Sequence, residues 1–255
     1  MDIFANEYTK NLTSVYLISD FQNGSYKIGL LKSAWMRLNP SVNIIDISND
    51  IRLNNIIEAA FISDQLQLDK SKKEIVLIKV GYTRESVVYQ RENTLYIMPN
   101  NGLIGMLPGG VDSSKAYLCM AEDENKVLNL FLNDRINELT PAGDRLEIRY
   151  QRQANIQSDI ATAECIYTDH VGNCFFNIRK EQFEQFISSR NFLIRIQHIP
   201  GVEFKRINQS ILEADQSEAI VRFSKSGYLK LQIRQGNAKQ LFRIKEDTKI
   251  IIELK

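Results

Sequence analysis

The side chain best placed to bind a small molecule in the first half of the chain is Asp20. It follows the apolar run from Val15 to Ile18, and in α/β folds ligands bind at the carboxyl ends of such strands. A carboxylate at that point can accept hydrogen bonds from both hydroxyls of a ribose. The alternative interpretation is an aspartate that caps the following turn, because Asp is common in turns.

A second candidate pair is Asp169 and Asn173, which flank Gly172. A carboxylate acceptor beside an amide donor suits an ammonium group or the edge of an adenine. The same residues also favour a purely structural turn between two strands. For the neighbouring His170, a solvated turn residue is the favoured interpretation and contact with a ligand is the alternative.

Asn100 and Asn101 form a third polar segment, after the apolar residues Tyr96 to Met98. Their amides either orient a ligand or cap a turn.

Other chemistries find no support in the sequence, which has no Walker-type phosphate loop and no Gly-x-Ser-x-Gly elbow. With two histidines and three dispersed cysteines, the chain offers neither a His-rich metal centre nor a disulfide framework.

The overall charge excludes a general attraction to polyanions. The 255 residues include 32 Lys or Arg and 31 Asp or Glu, for a formal net charge of +1. This balance predicts no nucleic-acid partner and no binding to an anionic membrane. No apolar run approaches the roughly 20 residues that span a bilayer, and the first ten residues lack an apolar signal core. A cytoplasmic location is the default expectation.

The first half of the chain alternates predicted strands with predicted helices, which is typical of an α/β domain with a mostly parallel sheet. The contiguous apolar residues of 74–80 favour a central parallel strand covered on both faces. The aromatic residues Tyr16, Phe21, Tyr26, Trp35 and Tyr96 fall at core spacing. We therefore expect core packing for each of them, with stacking on an adenine as the alternative for one.

The second half crowds short strands together and predicts an all-β, barrel-like domain. One helix, Lys180 to Ser188, interrupts strand segments that include Leu146 to Tyr150. Turn-forming residues at 140–144 place the boundary there. The predicted domains are thus 1–143 and 144–255.

Several segments, in order along residues 15–240, resemble the S-adenosyl-L-methionine (SAM) hydroxide adenosyltransferase family. Its motifs Thr-Asp-Phe-Gly, Val-Asp-Ile-Thr-His, Pro-Asp-Asn-Gly-Leu and Asp-Arg-Phe-Gly-Asn are similar to segments of this chain. These segments are Ser19-Asp20-Phe21, Ile45-Asp46-Ile47-Ser48, Pro99-Asn100-Asn101-Gly102-Leu103 and Asp169-His170-Val171-Gly172-Asn173. Ser226-Gly227-Tyr228-Leu229 also resembles part of the last strands of the family.

This resemblance implies a Rossmann-like first domain, a β-barrel second domain and a homotrimer whose ligand lies between subunits. Enzymes of the family split SAM with water or a halide, giving adenosine or a halogenated adenosine plus methionine. No further cofactor is implied. The ligand-binding residues predicted by the resemblance are Asp20, Phe21, Asn100, Asn101, Asp169, Asn173 and Tyr228.

The chain departs from the family where the chemistry takes place. Family hydrolases activate water with an Asp-Arg-His set, but Lys79 occupies the position of the Asp, and Arg84 is the candidate for the Arg. No histidine occurs between Gly110 and Asp144. Since a lysine ammonium cannot accept a proton, we expect a protein that binds SAM or adenosine with little or no hydrolase activity. The alternatives are a slow SAM hydrolase that uses Arg84 or Lys79, and a non-binding structural protein.

Overall fold

The computed structural model describes residues 13–22, 25–40, 42–48, 51–107 and 109–255. The chain divides into two compact units, residues 1–151 and residues 152–255. Each unit has its own sheet and its own hydrophobic core.

Unit 1 alternates strands and helices along its first half and then turns to strands. Its strands are β1 (Thr13–Ser19), β2 (Val42–Ser48), β3 (Glu74–Lys79), β4 (Glu85–Arg91), β5 (Thr94–Pro99), β6 (Ala116–Met120) and β7 (Thr140–Pro141). Its α-helices are α1 (Tyr26–Leu38), α2 (Ile56–Asp64) and α3 (Glu124–Leu132). The seven described strands pair in the order β2-β1-β3-β5-β4-β6-β7.

The sheet of unit 1 is mixed. β1 pairs in parallel with β2 and β3, and β3 pairs in parallel with β5. The three remaining described pairings, β4 with β5, β4 with β6 and β6 with β7, are antiparallel. An α/β unit is confirmed, whereas a mostly parallel sheet is not, because β4 and β5 form a hairpin across the short turn at 92–93 and a hairpin is necessarily antiparallel.

The central strands are apolar on both faces because helices cover them. Ile75 to Ile78 are fully buried in β3, as the unbroken apolar run predicts. Trp35 of α1 is also buried, whereas Tyr26, at the first position of α1, is 74% exposed. The prediction of a core role for Tyr26 was therefore wrong: Ile28, in the same turn, is buried, so Tyr26 lies on the outer face of that turn.

Unit 2 is an antiparallel, barrel-like sheet, as the crowded short strands predict. Its strands are β8 (Asn155–Ile156), β9 (Ile160–Thr168), β10 (Cys174–Arg179), β11 (Phe192–Ile196), β12 (Glu203–Phe204), β13 (Ala219–Phe223), β14 (Tyr228–Ile233) and β15 (Lys249–Leu254). Its helices are α4 (Lys180–Ile187) and α5 (Ala238–Leu241). The strands follow the order β12-β11-β15-β9-β10-β14-β13, and β8 adds to β9.

Two local predictions from sequence need correction. Leu146 to Tyr150 forms no strand, and only an isolated bridge joins Ile148 to Gly102. Strand β6 was not predicted, because its mixed residues Ala-Tyr-Leu-Cys-Met lack a clear alternation. Pairing with β4 holds β6 in the sheet. In both segments, tertiary contacts and not the local sequence therefore determine whether a strand forms.

Gly172 occupies a position that no other residue fits without cost. Its φ is +87°, and a Cβ atom there would lie 2.0 Å from Oδ1 of Asn237, which caps α5 by accepting from Gln240 N. We predict that Gly172→Ala destabilises unit 2 by about 2–4 kcal/mol, because it combines left-handed backbone strain with loss of that cap. Urea denaturation followed by circular dichroism measures the change.

Gly201→Ala is the matched control for Gly172→Ala. Gly201 has a similar φ of +82°, but a Cβ atom there would meet nothing within 4 Å. We therefore expect Gly201→Ala to destabilise unit 2 only through left-handed backbone strain. Equal destabilisation by the two substitutions would contradict the proposed clash with Asn237.

The longest described helix, α1, has 13 residues. None of the helices in the described ranges combines the length and the apolar composition that crossing a bilayer requires.

Candidate functional site

Unit 1 has an open cavity of about 600 Å³ at the carboxyl edge of its parallel strands. Ends of parallel strands meet at one edge of a sheet, so the segments that follow β1, β3 and β5 converge there. The cavity wall includes Asp20, Phe21, Lys27, Asn54, Lys79, Gly81, Tyr82, Ser86, Pro99 and Glu122. The structure therefore brings Asp20, Phe21 and Lys79, three of the candidates predicted from sequence, to one cavity.

The carboxylate of Asp20 connects the end of β1 to two loops of this cavity by hydrogen bonds. Its Oδ2 accepts hydrogen bonds from the backbone N of Gly81 at 2.9 Å and of Asn54 at 3.1 Å. Gly81 adopts a φ of +76° that favours glycine. Asp20 thus positions these two loops through one oxygen, whereas capping of the turn that follows Asp20 stays a prediction. A carboxylate offers about four acceptor sites, so this role leaves acceptor capacity for a ligand.

Lys79 forms an ion pair in the wall of the cavity. Its Nζ lies 2.7 Å from Oε2 of Glu124, and the other carboxylate oxygen of Glu124 accepts from the hydroxyl of Ser86. Glu124 is only 5% exposed, while the Lys79 side chain is 19% exposed toward the cavity. The positive charge of the Lys79 ammonium is therefore balanced by the buried carboxylate of Glu124. Each oxygen of that carboxylate accepts a hydrogen bond, one from Lys79 and one from Ser86.

Glu124 and Ser86 were not predicted from the sequence. Glu124 ends the acidic run Glu122-Asp123-Glu124, which suggests a solvated surface. A usable signal is nevertheless present, because Glu124 shares the spacing i, i+3, i+4, i+7 with Val127, Leu128 and Phe131. Those three residues are the buried face of α3, so a carboxylate at this position is predicted to need a buried partner.

Cys119, opposite Ser86 in the β4–β6 pairing, reports on the same environment. Burial, with the negative charge of Glu124 as the next cause, raises the pKa of its thiol from 9.0 to about 12. Because the thiolate is the reactive form, we predict that labelling by a disulfide reagent near pH 8 is about 1,000-fold slower than for an unperturbed thiol. Peptide mass spectrometry measures the rate at Cys119.

The urea-unfolded protein is the internal control for this labelling, since the same thiol then loses both causes of its raised pKa. Glu124→Gln should accelerate labelling of the folded protein, because removing a nearby negative charge lowers the pKa of a thiol. A folded-state rate equal to the unfolded rate would contradict the assigned environment.

The mouth of the cavity is partly aromatic. Phe21 is half-buried, and the Nζ of Lys27 lies 5.9 Å from its ring centroid. Tyr82 is 90% exposed, so its ring extends into solvent and does not fill the cavity.

The side chains of Asn100 and Asn101 form hydrogen bonds with backbone atoms around the site. The Asn100 amide donates to Arg145 O at 2.9 Å and accepts from Glu147 N at 2.9 Å. Asn101 donates to Val80 O at 3.0 Å, directly before the loop that Asp20 holds. Asn101 also accepts from Leu103 N at 3.3 Å, which agrees with the turn-capping alternative, whereas the Asn100 bonds join the distant segment 145–147. Ligand contact by either residue stays a prediction.

Arg84 does not line the same cavity as Asp20. Its side chain is exposed and borders a neighbouring cavity of about 530 Å³, together with Glu85, Asn100 and Glu147. The structure therefore separates Arg84 from Lys79, the other candidate for residual chemistry.

In unit 2, Asp169 and Asn173 close the turn between β9 and β10. Both nitrogens of Asn173 donate to the Asp169 carboxylate, the backbone N at 2.8 Å and Nδ2 at 2.7 Å. Nearby, burial lowers the pKa of Lys230 while Asp169 opposes this change. Lys230, a further titratable group that sequence reasoning missed, lies with its Nζ 5.3 Å from the Phe175 ring centroid.

Tyr228, the last sequence-predicted ligand residue, is buried in unit 2. Its hydroxyl accepts from Nη2 of Arg179 at 2.8 Å, and the guanidinium carbon lies 4.2 Å from the ring centroid. This contact ties the start of β14 to the end of β10. A ligand role for Tyr228 stays a prediction.

Comparison with known proteins adds an independent line of evidence. The family model of the SAM hydroxide adenosyltransferase N-terminal domain matches residues 15–133, and that of the C-terminal domain matches residues 163–251. An (R)-S-adenosyl-L-methionine hydrolase of Methanocaldococcus jannaschii is 22% identical over 247 residues, which cover 91% of this chain and 93% of the relative.

Two solved structures share the fold. An uncharacterized conserved protein from Thermotoga maritima aligns with a TM-score of 0.71 and 18% identity, over 93% of this chain and 99% of its own. A conserved hypothetical protein from Thermus thermophilus aligns with a TM-score of 0.66 and 17% identity, over 95% of this chain and 100% of its own. Since the two family models together match well over half of its residues, the chain belongs to the SAM hydroxide adenosyltransferase family.

Proposed function

We propose that this protein binds SAM or adenosine in the Asp20 cavity of unit 1 and has little or no SAM hydrolase activity. The observation that carries the proposal is the Lys79–Glu124 ion pair of 2.7 Å in the cavity wall. It stands where the family hydrolases carry their water-activating Asp. Asp20, the candidate for the ribose, is retained in the same cavity.

The ion pair is poorly suited to activate water. A lysine ammonium has no free lone pair for a proton. Glu124 is 5% exposed and does not line the cavity, so its carboxylate is not presented to a water there. A positioned general base typically contributes about 10²–10⁴-fold to a rate. We therefore expect hydrolysis to be slower by about that factor than in a relative that has the base.

The cavity also weighs against a purely structural protein. Such a protein would be expected to fill the cavity with its own side chains, and Tyr82 and Lys79 are two long side chains of the lining that could do so. Tyr82 points into solvent, and Lys79 reaches Glu124 instead of the open volume. About 600 Å³ stays open, which lies within the range of about 300–1,000 Å³ found for ligand sites.

Titration calorimetry with SAM and with adenosine tests the binding proposal. We expect Asp20→Asn to weaken binding by about ten- to a hundredfold, because an amide replaces a charged acceptor. The amide oxygen can still accept from Gly81 N and Asn54 N, so the loops stay in place. Asp144→Asn, at an exposed position of unit 1, is the matched control. Absence of heat at millimolar concentrations of both ligands would refute the proposal.

Chromatography of adenosine release over hours tests the catalytic part. Release at a rate typical of enzymes, on the order of 1 s⁻¹ or faster, would contradict the loss of hydrolysis. If slow release is seen, Lys79→Ala and Arg84→Ala decide whether either side chain supports it. Release that neither substitution changes would exclude the slow-hydrolase alternative built on these two residues.

We further propose that the protein is a homotrimer, as the resemblance implies. Light scattering coupled to size-exclusion chromatography should then give three times the chain mass of 29.4 kDa. A mass of one or two chains would refute this assembly.

A further inference from the structure

Unit 2 contains a cavity of about 780 Å³, which lies outside the proposed SAM site in unit 1. Three segments border it: helix α4, residues 205–209 and residues 223–227 at the β13–β14 turn. We name this cavity the α4 cleft. Its volume is in the range of a site for a small molecule.

The floor of the α4 cleft is apolar and aromatic. Phe183 is packed edge-to-face against Phe192 and Phe223, with ring centroids 5.1 Å and 5.5 Å apart. Phe183 is buried, whereas Phe192 and Phe223 keep part of their surface exposed at the cleft, together with Ile187 and Ile207. Partly exposed rings held by a buried one form a preformed platform for a flat ring.

The rim of the α4 cleft is cationic. Its lining includes Arg179, Lys180, Lys205, Arg206 and Lys225. Among the described residues of the lining, the carboxylates are Glu181 and Glu184, and Lys180 makes a loose 3.7 Å pair with Glu184. Lys205 also pairs with Glu203, outside the lining, at 4.0 Å, and Arg179 already donates to Ser226 O and to the hydroxyl of Tyr228. With Glu203 counted, five cations stand against three carboxylates, which leaves an excess of two positive charges. Such an excess around a concave surface attracts a multiply charged anion.

From these two features together we infer that the α4 cleft binds a nucleoside phosphate, with its base on the aromatic floor and its phosphate at the rim. A base supplies a flat ring for Phe192 and Phe223. A phosphate accepts hydrogen bonds from several Lys and Arg side chains at once. Neither feature alone selects this ligand class: an apolar ring would not use the charges, and inorganic phosphate would not use the floor.

Calorimetry with AMP as the probe tests this inference. Arg206→Glu combined with Lys225→Glu reverses one exposed charge on each of two bordering segments. We expect the double variant to raise the dissociation constant for AMP by about tenfold or more. Lys239→Glu combined with Lys245→Glu, at two exposed positions of unit 2 outside the cleft lining, makes the same charge change and should leave the dissociation constant unchanged.

Two further arms separate the parts of the inference. Phe223→Leu should weaken AMP several-fold and leave inorganic phosphate unaffected, since only the base uses the floor. Because AMP carries the adenosine that the Asp20 cavity is proposed to bind, all AMP titrations are made in the Asp20→Asn background, which weakens that cavity and leaves the cleft unchanged. Failure of the SAM proposal and failure of this one can therefore be told apart. The inference is overturned if AMP gives no heat at millimolar concentration, if phosphate alone binds as tightly as AMP, or if the charge reversals have no effect.

Discussion

Truncation of Phe183 to alanine is expected to lower the free energy of unfolding of unit 2 by about 3–5 kcal/mol. Phe183 is 1% exposed and contacts the rings of Phe192 and Phe223 edge-to-face. The substitution removes the buried surface of a full ring and two aromatic contacts, and it leaves a cavity under α4. Chemical denaturation followed by circular dichroism measures the loss, and hydrogen exchange of the α4 peptides assigns it to unit 2.

Leu212→Ala is the matched control, because Leu212 is a large apolar side chain of the same unit that lies in solvent. Its truncation should change the free energy of unfolding by less than about 0.5 kcal/mol. Phe183→Leu should fall between the two, since it keeps part of the buried volume. If Phe183→Ala were no more destabilising than Leu212→Ala, Phe183 would not be a centre of the core.

Replacement of Glu124 by glutamine should destabilise unit 1 by about 3 kcal/mol, near the lower end of the range for breaking a buried ion pair. The amide is nearly isosteric and can still accept from Ser86. The ammonium of Lys79, however, loses its charge partner at 2.7 Å. The lower end applies because the Lys79 side chain keeps some exposure to the cavity, where water relieves part of the cost.

A double-mutant cycle isolates this pair. Lys79→Met alone leaves the carboxylate of Glu124 buried without its cation, which is also unfavourable. Lys79→Met combined with Glu124→Gln should destabilise less than the sum of the two single changes, by about 1–3 kcal/mol. The exposed pair of Lys126 and Asp123, 2.6 Å apart beside the same helix, is the control, and Lys126→Met should have no measurable effect. Strict additivity at Lys79 and Glu124 would contradict the coupling.

The fold class was largely predictable from the sequence because it follows from the period of apolar residues. The unbroken apolar run of β3 predicts a strand covered on both faces, and the crowded strand segments after residue 160 predict an antiparallel, barrel-like unit. Periodicity does not report pairing direction. The mixed character of the sheet could therefore not be predicted from the sequence, because it depends on the antiparallel pairing of β4 with β5.

The candidate site was predictable where a residue follows directly from a strand end. Asp20 and Lys79 end parallel neighbours β1 and β3, so their meeting at one edge is a consequence of topology. Asn100 and Asn101 were correctly placed after β5, but which atoms their amides bind depends on residues up to 47 positions away. No local pattern encodes such partners.

By itself, the sequence determined which family the chain resembles, the two kinds of unit and the presence of a lysine where the family carries an acid. Only the tertiary structure decided that this lysine is paired. Glu124 lies 45 residues from Lys79 along the chain, and its place on the buried face of α3 depends on how that helix packs against the sheet. Whether two charged side chains pair depends on the distance between them in space, and that distance is set by the tertiary fold.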